Sequence, residues 1–150
     1  MSKNKLSNNS LYLLYFALFH SHFVYANIIW SCTDSSTINS IFKLQKKAIR
    51  LISGSKFNAH TEPLFKKLEI LPLPDLISYF KLQFMHRFVN SLLPASFHNM
   101  WQSNQGRLIG VNLLQLRNNT DITVPFARLE ITKKLPLTNF PTLWNNFNEN

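Results

Sequence analysis

Apolar residues recur at helical spacing through most of the first ninety positions. Leu11, Leu14, Tyr15, Leu18, His22, Tyr25, Ala26 and Ile29 follow a 3.6-residue repeat. They predict a first helix that ends near Trp30, with Asn9 or Ser10 as its cap. Ile38, Ile41, Phe42, Ile49 and Ile52 mark a second helix. Asp34, Ser35 or Ser36 can cap it, and Gly54 suits the left-handed residue that closes it. Thr61 and Pro63 open a short helix whose inner side is Leu64, Phe65 and Leu68. Pro72 and Pro74 interrupt that pattern. Asp75 then starts a third long helix, with Leu76, Ile77, Phe80, Phe84 and Phe88 inward and an end before Pro94.

Beyond Pro94 the periodicity weakens. Gly106 and Gly110 flank an irregular stretch, and Ile122, Val124 and Phe126 alternate. A short strand fits there, confined to a sheet edge by Pro125. Residues 140–145 read as a short docking helix. The expected fold is mainly α: three longer helices, one short helix and an irregular tail, with an edge strand as an option. The expected organisation is a disordered N-terminus over 1–9, a helical domain over 10–96 and a loop-rich tail over 97–150.

Charge changes this picture at one place. Lys43, Lys46, Lys47 and Arg50 are spaced by three, four and seven, so they share one face of the second helix. No carboxylate interrupts that helix. From Lys43 to Lys67 there are seven cations, adding Lys56, Lys66 and Lys67, against the single acid Glu62. A stabilising surface usually mixes signs, whereas an unmixed basic stripe suits phosphate. The formal net charge of +9 points the same way, to nucleic acid or an acidic membrane surface.

Residues 11–30 carry no formal charge and have the length of a bilayer span. His20, Ser21, His22 and Asn27 would be costly in lipid. A core helix is therefore preferred, and membrane anchoring stays as a rival reading. Cys32 is the lone cysteine, which excludes an intramolecular disulfide.

Catalytic chemistry finds little support. The seven carboxylates are dispersed, with no Asp-Asp pair for two-metal phosphoryl transfer. His20 and His22 diverge on a helix, and His60, His86 and His98 stand apart, so no metal set or cofactor is expected. Residues 31–40 are serine-rich without a nucleophile elbow. Trp30, Trp101 and Trp144 read as packing anchors.

The order of several segments carries a further signal. His22-Phe23-Val24-Tyr25-Ala26-Asn27-Ile28-Ile29-Trp30 precedes Leu44-Gln45-Lys46-Lys47-Ala48-Ile49-Arg50-Leu51-Ile52-Ser53-Gly54. His60-Thr61-Glu62-Pro63-Leu64-Phe65-Lys66-Lys67-Leu68-Glu69-Ile70-Leu71 and Leu92-Leu93-Pro94 follow, then Arg117-Asn118-Asn119 and Phe140-Pro141-Thr142-Leu143-Trp144-Asn145. Over about residues 9–146 this succession resembles the region after the catalytic palm in reverse transcriptases of non-LTR (LINE-type) retrotransposons. The resemblance implies a thumb and its neighbours, contact with the backbone of RNA or an RNA–DNA hybrid, and packing on a palm domain. The family's aromatic-Ala-Asp-Asp turn is absent, as are its fingers, endonuclease domain and zinc knuckle. The expectation is a detached C-terminal piece that is not an enzyme by itself. The rival is a structural remnant that binds no nucleic acid.

Overall fold

The computed structural model describes residues 6–25, 27–101 and 122–148. The chain is mainly helical and forms two compact units, Met1–Ile77 and Ser78–Asn150. The two units meet at 77/78, whereas the expected helical domain runs to 96. The expected irregular stretch around Gly106–Gly110 and the Arg117-Asn118-Asn119 segment lie outside the described residues, as do residues 1–5 of the expected disordered N-terminus.

The first expected helix is not one helix. Helix α1 spans Asn8–Leu14, so it starts inside the segment expected to be disordered. Ser7 caps it, its hydroxyl accepting from Ser10 N at 3.2 Å, in place of Asn9 or Ser10. A π-helical turn follows over Tyr15–His20, then α2 over Ser21–Val24. Tyr25 is extended (ψ 124°), and α3 covers Asn27–Trp30. A π-turn inserts an extra residue and re-aims everything after it. The buried positions are Tyr15, which belongs to the expected stripe, with Phe23 and Asn27, which do not; Leu14, Leu18, His22, Tyr25 and Ile29 of that stripe are exposed. Side chains satisfy carbonyls at the break: Trp30 Nε1 donates to Tyr25 O at 3.1 Å, and Asn27 Nδ2 to Phe23 O at 2.9 Å. Among the described residues no helix is long and apolar enough to cross a membrane.

Helix α4, Ser35–Ile52, follows its sequence signals. Asp34 Oδ2 accepts from Ser36 N at 3.0 Å. At the other end Gly54 takes φ +63°. Ser55 N bonds Arg50 O, and Gly54 N bonds Leu51 O, the paired closure that a left-handed residue permits. Ile49 and Ile52 pack with Tyr15, Phe65 and Ile70 to form the core of the first unit. Each such burial contributes roughly 1.5–3 kcal/mol.

Helix α5, Glu62–Leu68, has Pro63 in its first turn as expected, but the Thr61 hydroxyl makes no capping bond. Helix α6, Leu73–Val89, begins two residues before Asp75, because a proline at position 74 falls in the first turn, where no N–H is needed. Its first residue is capped from far away. Gln45, wholly buried on α4, accepts from Leu73 N at 2.8 Å and donates to Leu71 O at 3.0 Å and Tyr15 Oη at 2.9 Å.

The second unit has an aromatic core. Phe84 of α6 meets Phe97, Trp101 and Phe140 edge to face, and Phe88 meets Trp101 at 4.9 Å. Met85 and Lys81 are also buried there. Residues 97–150 are less loop-like than expected: α7 covers Glu130–Lys134 and α8 covers Pro136–Asn148. Pro141 lies inside α8 and has no N–H for Leu137 O, which instead accepts from Trp101 Nε1 at 2.8 Å. Among the described residues no strand forms at Ile122–Phe126. Ile122 is a single bridge residue, and the Asn145 side chain pairs with both its N–H and its carbonyl.

Candidate nucleic-acid interface

The cationic positions of α4 sit opposite its buried side. Gln45, Ile49 and Ile52 turn inward, and Lys43, Lys46, Lys47 and Arg50 occupy the outer face. None of the four is buried. Lys43 and Lys47 are exposed. Lys46 is half-covered, its Nζ lying 4.1 Å from the centre of the Phe42 ring. That contact orients the ammonium without neutralising it.

Arg50 is also half-covered. Its Nε donates to Ala59 O at 3.0 Å, which uses one of the five guanidinium donors. The bond draws the 54–59 loop back against the end of the ridge, and this loop carries exposed Lys56. Arg50 is thus both ridge cation and loop anchor.

The remaining two candidates stand on α5 and are less uniform. Lys66 faces Glu62 one turn back at 3.3 Å, and both are exposed. Such a pair is worth little in stability but offsets the local charge. Lys67 is exposed and lines a concavity of about 390 Å³ together with Asn8, Ser53 and Glu69. The structure therefore groups Lys43, Lys46, Lys47, Arg50 and Lys56 about one helix and its closing loop. Lys66 and Lys67 stand on α5 among carboxylates, Lys66 paired with Glu62 and Lys67 beside Glu69 in a concavity that also reaches Ser53.

Two features escaped the sequence reading. Phe57 follows Lys56 in the anchored loop and is 80% exposed. Its signal was an aromatic ring within a glycine-led basic segment. Lys81, a cation, is only 7% exposed. Its Nζ donates to Asn139 Oδ1 at 2.8 Å and lies 5.6 Å from the Phe140 ring centre, so it is a core group and not part of any phosphate surface. Among the described residues no group of three or more His, Cys, Asp or Glu is placed to hold a metal ion. Set against family models, curated proteins and solved structures, the chain finds no match.

Proposed function

We propose that this chain grips the phosphate backbone of RNA or an RNA–DNA hybrid in the manner of a polymerase thumb, as the resemblance to non-LTR reverse transcriptases implies. The observation that carries the reading is the four-cation face of α4, opposite a fully buried Gln45 and Ile49 and free of carboxylates along the helix. From Lys43 to Arg50 the ridge is about 10 Å long, which faces about three phosphates of one strand. Contacts of this kind position a duplex and carry no base information. Catalysis is no part of the proposal, because the Asp-Asp turn such a polymerase needs is not in this sequence.

The test is a salt titration of binding to an RNA–DNA hybrid. Replacing Lys43, Lys46, Lys47 and Arg50 together by Ala should flatten the slope of log affinity against log salt by about three to four. The milder Lys43→Gln/Lys47→Gln pair touches only exposed side chains and should flatten it by about two. Unchanged affinity in both variants would sink the reading.

A second reading has an observation of its own. Leu13, Leu18, Tyr25 and Ile29 are between 57% and 80% exposed on α1, the π-turn, α3 and the break before it. So much open apolar side chain favours helices made to be covered by another domain, the palm in the family that this sequence resembles. On this reading the isolated chain is an inactive remnant. Light scattering distinguishes the two: concentration-dependent aggregation without hybrid binding favours the remnant.

A further inference from the structure

A lone exposed phenylalanine is ordinary on a protein surface. Phe57 is set apart by what fixes it and by what surrounds it. Its loop leaves α4 through Gly54 at φ +63° and closes as a turn in which Ala59 N bonds Lys56 O at 3.0 Å. Arg50 Nε holds the same turn through Ala59 O. The ring is thus carried at the tip of a pinned turn, 80% open to solvent, beside Lys56 and at the end of the cationic ridge. Phe42 on the same helix makes the contrast: Lys46 lies over it, and the Phe65 ring stacks on it at 6.2 Å. No carboxylate occurs in sequence between Asp34 and Glu62. An open aromatic face flanked by cations is the pairing that single-stranded nucleic acids recognise, bases on the ring and phosphates on the charges.

We infer that Phe57 is a stacking platform for an unpaired base next to the backbone held by the ridge. The ligand class is accordingly a duplex with a single-stranded extension, or a single strand. Every base has a π-face, so the preference is for unpaired bases and not for a sequence. This inference rests on the proposed function.

Fluorescence anisotropy on the full chain tests it with two probes: a blunt RNA–DNA hybrid and the same hybrid with a five-nucleotide extension. Wild type should bind the extended probe more tightly. Phe57→Ala should weaken extended-probe binding by roughly ten-fold and leave blunt-probe binding and the salt slope unchanged. Phe57→Trp should keep the preference. Lys43→Gln/Lys47→Gln should weaken both probes alike. A Phe57→Ala variant with the wild-type ratio of affinities overturns the inference alone. Failure of wild type to bind either probe overturns the ridge reading and the inference with it.

Discussion

Each compact unit contains a proline beside a helical backbone group that has no local partner, and each meets the need from a distance. In the first, Leu73 follows Pro72 as the first residue of α6, its N–H is one of the helix-start donors with no intrahelical acceptor, and Gln45, 28 positions earlier, accepts it. In the second, Pro141 offers no N–H to Leu137 O, and Trp101, 36 positions earlier, donates. The two solutions differ in kind. A missing acceptor is supplied by an amide, which brings two donors of its own into the core. Those donors must be met, and Tyr15 Oη and Leu71 O meet them. A missing donor is supplied by an indole, which has one N–H and a large apolar body that joins the ring cluster. One proline is therefore answered by a network that fails together, the other by a single bond inside an aromatic core.

The largest effect should come from Gln45→Leu. It leaves Leu73 N–H, Leu71 O and the Tyr15 hydroxyl without that partner, and buried orphans cost about 1–3 kcal/mol each. Urea denaturation with amide exchange read along α4 should show a loss of about 3 kcal/mol or more. A loss below about 1 kcal/mol would mean the three groups find other partners, and the contrast between units would collapse.

Trp101→Phe should cost less, about 1 kcal/mol for the hydrogen bond, beyond any change in ring packing. In a Pro141→Ala background the restored backbone N–H can bond Leu137 O. The same Trp101→Phe substitution should then cost about half or less, a coupling that a double-mutant cycle measures. Strict additivity would show that the indole does not answer the proline.

The smallest effect is a pH dependence confined to the first unit's network. Burial raises the Tyr15 phenol above its ordinary value of 10.0, partly countered by the hydrogen bond from Gln45. The folded state then holds the proton more tightly than the unfolded one. The stability this represents is intact below pH 10 and lost as pH rises through the folded-state value. The urea midpoint should fall above pH 10, and Tyr15→Phe should flatten that fall. An unchanged alkaline limb in the variant would assign the dependence to another group.

Legibility followed the same division between local and distant causes. Helix α4 was readable because its whole specification is local: Asp34 at one end, Gly54 at the other, an apolar stripe between them and cations on the back. The ends of α5 and α6 were not, since Glu69 and Ser91 take the left-handed conformation (φ 53° and 56°) with no glycine to mark it. Gln45 was overlooked although it occupies a core register of the stripe. A polar residue there reads as an interruption until its partners are known. Of the candidate interface, the ridge itself was visible from spacing alone. The setting aside of Lys66 beside Glu62, the burial of Lys81 and the pinned exposure of Phe57 were not.

By itself the sequence determined the helical class, the closing end of α4 and the side of it that carries charge, because periodicity and caps act within a few residues along one chain segment. Only tertiary structure decided how the first amide of α6 is capped, how α8 continues through Pro141 and which cations face solvent. Those outcomes depend on hydrogen bonds and burial between residues tens of positions apart, and local order carries no trace of such partners until the chain has packed.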